Sequence, residues 1–480
     1  MPSALRMQPT VETGALRADF DHVRAELQIM IPFSPAVEQE AAAVAARGPR
    51  AATRSDRRDL PLVTIDPPGS RDLDQALHIA EHRDGLRVYY AIADVGAFVD
   101  RGSAIEAEAW RRGVTAYAPD ERAMVYPESL TQGAISLLAD GDRPAILFTA
   151  DLDATGALGA FAVERALVRS RRRLSYAEAQ REGMPLLERL GTQRAALARA
   201  RGASLLDLPS REIVADRRAP CGFRLRWEER LPIEDWNAHV SLLVGMGAAR
   251  QMVTAGVGLL RVMGDPDAAR LAAARRAAPA LGVSWPEDAR VSDVVASLSG
   301  AVPAEAAMLV LLRRAMGRAG YLAFADGAPA ARRHAAIAAD YAHVTAPLRR
   351  LADRYVLDLL CDVAAGTRPS ADEVATLARL PPVMAAADAR AGRLERELVD
   401  ATEARTLEHR VGETFAAVVL SSDDRGAQVQ ITRPPVIASL AGTPAPAAGS
   451  TVAVRLVAVD PPSRALRLEA VGATATNPKG

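Results

Sequence analysis

The segment TIDPPGSRDLDQAL, residues 64–77, constrains the chain more than any other. Two prolines and a glycine at 67–69 can continue neither a helix nor a central strand, because proline lacks an amide proton and fixes φ. The chain must turn there. DLPLVTID (59–66), just before it, is short, β-branched and reads as a strand. Asp66 then stands at a strand end, and the turn brings it back near Asp72 and Asp74. If 72–74 runs extended, both carboxylates lie on one face and Leu73 on the other. Three carboxylates converging without compensation are costly unless a cation neutralises them.

Taken alone, the cluster fits a hard divalent cation and a solvated acidic turn equally well. The glycine at loop position six and the glutamate at twelve that an EF-hand needs are missing. The seven histidines are scattered and none forms a close pair with ligand spacing on a helix face, so a zinc site is not expected. Cys221 and Cys361 cannot build a disulfide framework, which fits a reducing cytoplasm. The N-terminus lacks a basic stretch followed by an apolar core, so a signal peptide is not expected. No run of 18 apolar residues suggests a membrane span.

The 480 residues allow two to four domains. Residues 1–57 look helical and polar, an accessory segment. Within 58–410, strands are expected at 59–66, 86–95, 145–153 and 158–170, the last two joined by a turn at 153–156. From about 187 helical patterns dominate. One helix is expected to begin at Pro347, and another to cover roughly 380–409. This makes an α+β domain with strands first and helices afterwards. After Val411 short β-rich runs alternate with Pro- and Gly-containing breaks, the pattern of a small barrel over 411–471. Residues 472–480 read as a frayed tail. Lysine and arginine total 59, as do aspartate and glutamate, so net charge advertises no polyanionic partner. Lys479 is the only lysine. The arginine excess fits either coding bias or a phosphate-binding channel.

VTIDPPGSRDLDQAL resembles the signature of the ribonuclease II (RNB) family, and the likeness continues along the chain. YYAIADVGAFV (89–99) is similar to the family's next strand and turn. GVTAYAPDERAMVYPESLTQGAISLL (113–138) is similar to its Tyr/Pro/Leu-rich segment. YAHVTAPLRRLADRYV (341–356) and GRLERELVDA (392–401) resemble its later motifs, in the same order. The resemblance implies an α+β fold: a central RNB catalytic domain, a small helical N-terminal segment and a C-terminal S1-like OB-fold β-barrel that binds RNA. It also implies a monomeric, cytoplasmic 3′→5′ hydrolytic exoribonuclease, releasing nucleoside 5′-monophosphates from single-stranded RNA, with no membrane partner.

By the same resemblance, Asp66, Asp72, Asp74 and Gln75 take the metal positions, for Mg²⁺ with Mn²⁺ as the alternative. Arg349 stabilises charge at the scissile phosphate, from the first turn of the helix expected after Pro347. Tyr117 stacks on a terminal base, Tyr176 lies near the RNA path, and Glu395 lies near the 3′-terminal nucleotide. His343, Thr345 and Arg350 belong to the channel wall. The departures are specific. Gln75 stands where the family usually has a fourth aspartate, and Leu206 where a phenylalanine often completes an aromatic clamp. WNAHVSLLVGMGAAR (236–250) lacks the family's acidic pair, and the N-terminal segment is too short for paired cold-shock barrels. The alternatives are a catalytically impaired RNB-fold RNA-binding protein and another carboxylate-metal phosphohydrolase. A glutamine keeps a ligating carbonyl but loses a charge, so a weakened site is expected rather than a lost one.

Overall fold

The computed structural model describes residues 14–471 apart from 140, 207–210, 217, 220, 229, 301, 424, 425, 432 and 441–444. The expected tail at 472–480 lies outside the described residues.

Two helices open the chain, α1 (Gly14–Glu26) and α2 (Pro35–Arg47). A mixed sheet follows, with β1 (Ser55–Asp56), β2 (Leu62–Asp66), β3 (Gln75–His82) and β4 (Gly85–Ala93). After α3 (Ala104–Arg112) the chain forms a small hairpin of β5 (Ala116–Tyr117) and β6 (Arg122–Ala123). It returns to the sheet as β7 (Arg143–Leu152), β8 (Leu158–Val168) and β9 (Ser170–Ser175). The seven strands lie in the order β1-β8-β7-β4-β3-β2-β9. The expected strands at 59–66, 86–95, 145–153 and 158–170 are therefore present with slightly shifted ends. Leu86, Val88, Tyr90 and Ile92 on β4 are all buried, as suits a central strand.

The second half mixes helices and strands, so the expectation of strands first and helices afterwards does not hold. Helices α4 (Tyr176–Glu182), α5 (Pro185–Ala200) and α6 (Pro232–Ala255) are interrupted by a hairpin of β10 (Arg211–Ala215) and β11 (Phe223–Trp227). β12 (Gly258–Met263) pairs with β13 (Ala319–Phe324) across an insertion of α7 (Ala268–Ala277), α8 (Val291–Ser297) and α9 (Pro303–Ala315). The insertion has its own small core, against which Leu206 packs. β14 (Arg333–His334) and β15 (Ala339–Asp340) complete that sheet. These strands answer to partners far away in sequence, which local periodicity does not register.

Helix α10 (Leu351–Ala364) and the 37-residue α11 (Ala371–Leu407) follow. α10 begins four residues after the expected start at Pro347. Residues 347–349 form a turn instead, and Arg350 is the N-cap. α11 begins before Pro381 and Pro382, because Ser370 and Glu373 form a capping box that starts the helix upstream. The chain ends in a closed barrel of β16 (Thr414–Asp423), β17 (Gly426–Ile431), β18 (Val436–Leu440), β19 (Thr451–Asp460) and β20 (Ala465–Ala470). One core lies on the large sheet, beneath α6 and α10. A second joins the barrel, α1, α11 and the β5–β6 hairpin. Among the described residues, no helix is long and apolar enough to cross a membrane.

Candidate active site

The Pro-Pro-Gly turn lies between β2 and β3, and the loop after it is pinned in extended form. The Leu73 amide donates to Ser136 Oγ at 2.9 Å, and the Leu73 carbonyl accepts from Leu137 at 3.0 Å. The Ala93 amide donates to the Asp74 carbonyl at 2.9 Å, continuing the β3–β4 ladder. Leu73 is fully buried. The Asp72 carboxylate is left to interact with both Asp66, at the end of β2, and Asp74.

Each carboxylate meets a different environment. Asp72 accepts from Arg122 Nη1 at 3.0 and 3.2 Å. Asp74 Oδ1 accepts from the Leu348 amide at 2.7 Å, and its Oδ2 lies 3.7 Å from Arg349 Nε. Asp66 Oδ2 is buried without a hydrogen-bond partner. Burial, followed by the charge on Asp72, pushes the Asp66 carboxyl up to about 7; Arg349 and Arg173 pull the other way. Burial likewise pushes Asp74 up to about 8, against the opposing pull of Arg349 and the Leu348 amide. An all-oxygen, carboxylate-rich set with an orphaned buried oxygen and repulsion that the arginines only partly relieve fits a hard divalent cation. Among the described residues, no three His, Cys, Asp or Glu side chains already stand as a ready-made metal cage. The charge on Asp72 helps raise the carboxyls of both Asp66 and Asp74 without the three being drawn together.

Gln75 opens β3 opposite Ile92. Its Oε1 accepts from the Tyr90 hydroxyl and from Ser241 Oγ at 3.4 Å, while Tyr90 and Ser241 bond each other at 2.8 Å. The carbonyl oxygen that the resemblance assigns to metal is thus engaged by two hydroxyls.

Arg349 lies just outside α10, not in its first turn as expected. The Ala346 amide donates to Asp353 Oδ2 at 2.8 Å, and the Thr115 amide donates to the Arg349 carbonyl at 3.0 Å. These contacts hold residues 346–349 as a loop lying against the strand that leads into β5. Arg350, not Arg349, pairs with Asp353, at 3.0 and 2.8 Å. Gly245 of α6 faces Tyr341 so closely that a Cβ would collide with its ring, which gives the mid-helix glycine a packing reason.

The two tyrosines flank this centre. Half-buried Tyr117 feels the charges of Arg349, Asp72 and Asp74, and burial pushes its hydroxyl up to about 12. Tyr176, the first residue of α4, lies within electrostatic reach of Asp66 and Arg349 and beside Asn237 of α6. Thr345 is buried. His343 Nδ1 bonds the Tyr321 hydroxyl at 2.7 Å, and burial holds its pKa well below the usual histidine range. Glu395 is half-buried on α11, which packs against β5. The structure therefore brings Asp66, Asp72, Asp74, Arg349, Tyr117 and Tyr176 together. It places His343 and Arg350 in supporting contacts behind them. Arg122 and Asn237 were missed from sequence. Arg122 lies inside the quoted 113–138 segment, the one signal that pointed to it.

A family model described as the RNB domain matches residues 54–365, and one described as the RNase II-type exonuclease C-terminal S1 domain matches 413–471. Ribonuclease R of Aquifex aeolicus is 29% identical over 401 residues, covering 76% of this chain and 54% of that protein. The chain thus spans about half the length of that relative. Mycoplasma genitalium RNase R in complex with ribose-methylated single-stranded RNA superimposes with a TM-score of 0.85 at 19% identity, over 95% of this chain and 78% of that one. Yeast Ssd1, a pseudonuclease, superimposes at 0.71 and 16% identity, over 92% and 58%. At such identities these likenesses carry the fold and not the chemistry.

Proposed function

The chain belongs to the ribonuclease II (RNB) family, and from that premise we propose that it is a 3′→5′ exoribonuclease hydrolysing single-stranded RNA to nucleoside 5′-monophosphates. The observation that carries this is the meeting of two buried, under-compensated carboxylates, Asp66 and Asp74, with Arg349, whose charge is felt by both Tyr117 and Tyr176. Asp66, Asp72 and Asp74 would hold Mg²⁺, or Mn²⁺ in its place. Such an ion supplies Lewis-acid activation of water and charge stabilisation at the leaving 3′-oxygen.

The chain's own groups do the rest. The Arg349 side chain is 31% exposed, so it can reach a phosphate while its Nε stays near Asp74. Its fixed positive charge favours the extra negative charge that develops at phosphorus. Tyr117 would offer a face for sequence-tolerant base stacking, and Tyr176 would lie beside Asp66 and Arg349 near the RNA path. Arg122 holds the Asp72 carboxylate in place, and the Leu348 amide does the same for Asp74. Asp353 fixes Arg350 and the Ala346 amide, so that Arg349 is presented from a stiff loop.

A second reading, a catalytically impaired RNA-binding protein, is favoured by one observation: Gln75 replaces a charge and spends its oxygen on Tyr90 and Ser241. One experiment separates the two. Purified protein is incubated with 5′-labelled single-stranded RNA and the matching DNA, with Mg²⁺, Mn²⁺ or EDTA. A descending ladder on RNA only, erased by EDTA, supports the exoribonuclease. Binding without shortening supports the impaired protein.

A further inference from the structure

Helix α1 occupies a position that the proposed chemistry does not explain. Its apolar face, Leu16, Phe20, Val23 and the following Leu27, is buried in the second core with Ala116, Ala118 and Ala123 of the β5–β6 hairpin. Phe20 meets Phe223 of β11 edge-on at 5.6 Å. Beside this apolar stripe is a charged residue, Arg24, only 5% exposed. Its guanidinium grips Asp120 with both ends, Nη1 to Oδ1 at 2.8 Å and Nη2 to Oδ2 at 2.9 Å. Nη2 also donates to Asp21 at 2.6 Å. The Asp120 side chain is itself 6% exposed. A second arginine of the same helix, Arg17, reaches Glu121 at 3.1 Å.

Asp120 and Glu121 lie in the tight turn of the β5–β6 hairpin, closed by the Ala118 amide donating to the Glu121 carbonyl at 3.0 Å. On one side of the turn is Tyr117, and on the other is Arg122, the partner of Asp72. The far side of α1 is anchored too: Asp19 accepts from Arg405 of α11 at 2.6 and 3.0 Å, and Glu26 accepts from Arg464 of the barrel at 2.9 Å. The helix thus ties α11 and the barrel to the one turn that carries both the stacking ring and the support of a catalytic carboxylate.

We propose that Arg24 is a positioning residue, and that α1 is a strut which sets the angle of the Tyr117–Arg122 turn towards the 3′ end of the RNA through the Arg24–Asp120 pair. This rests on the exoribonuclease activity proposed above. A bidentate pair between two buried side chains fixes direction as well as distance. Removing one partner leaves an uncompensated buried charge that must find water, which moves the turn.

The test is steady-state kinetics of the full chain on single-stranded RNA, with thermal unfolding as a folding control. Arg24→Ala should raise KM about tenfold, the scale of a lost base stack, and stall on longer end products. Its kcat at saturating RNA should fall by less than its KM rises, because Arg122 keeps its own bond to Asp72. The charge-reversed double variant Arg24→Asp/Asp120→Arg should bring KM back to within about threefold of the parent. Asp120→Asn, nearly isosteric, replaces Arg24→Ala if the latter does not fold, with the same expectation. An unchanged KM in a folded variant, equal losses in kcat and KM, or no rescue by the charge reversal would overturn the proposal. A parent protein that does not shorten RNA would instead defeat the activity on which the proposal rests.

Discussion

The aspartate site and the barrel solve opposite problems. The site keeps Asp66, Asp74, Arg349, Tyr117 and Tyr176 within electrostatic reach of one another, leaves one buried carboxylate oxygen unpartnered and holds two carboxyls far above their usual range. The barrel buries aliphatic residues such as Val419, Val429, Val436, Val454 and Leu456. Its one aromatic, Phe415, is buried under the guanidinium of Arg410 at 4.6 Å. The aspartate site stores unfavourable electrostatics that a cation and a phosphate would relieve. Among its described residues the barrel leaves no buried side-chain polar atom without a partner, and its one ring is covered. On the proposed reading, base stacking and chemistry would both lie at the aspartate site, with the barrel contributing less to the grip on RNA.

That contrast can be broken at several points. Arg349→Ala should lower kcat about 10²–10³-fold with little change in KM, because the lost charge acts mainly in the transition state. A defect confined to KM would reassign Arg349 to binding. Tyr117→Ala should raise KM about tenfold on single-stranded RNA of any sequence. Gln75→Glu keeps the shape that accepts from Tyr90 and Ser241 and adds a charge beside Asp74. The Mg²⁺ concentration for half-maximal rate should fall about threefold, and a rise would show that the glutamine is needed neutral. The smallest effect belongs to the barrel. Removing two of its exposed arginines together, Arg455→Ala and Arg467→Ala, should change KM by less than about twofold, and a larger change would return RNA binding to the barrel.

Much of the sheet was legible from sequence because its strands are β-branched, short and bounded by turn residues, as in LVTID before Pro67. The barrel was legible for the same reason. The start of α10 was not. Pro347 looked like a first helical residue, but the Asp353 carboxylate takes the Ala346 amide and Thr115 takes the Arg349 carbonyl, so tertiary bonds hold those residues out of the helix. β12 and β13 were hidden because they pair only across the α7–α9 insertion. At the site, the aspartates and Arg349 could be read from their motifs. Arg122 and Asn237 could not, since each matters through a partner far off in sequence, Asp72 and Tyr176. Gln75 was visible as a changed residue, but its hydroxyl partners Tyr90 and Ser241 come from a neighbouring strand and from α6.

The central claim is that the buried aspartates form a working hydrolytic centre and not the remnant of one. The direct measurement compares the parent and Asp74→Asn for nucleoside 5′-monophosphate release from saturating single-stranded RNA in Mg²⁺, with RNA binding measured alongside. The parent should release monophosphate steadily and the variant none detectably, with RNA bound by both alike. Release by Asp74→Asn at the parent rate, or none by a parent that binds RNA, would contradict it.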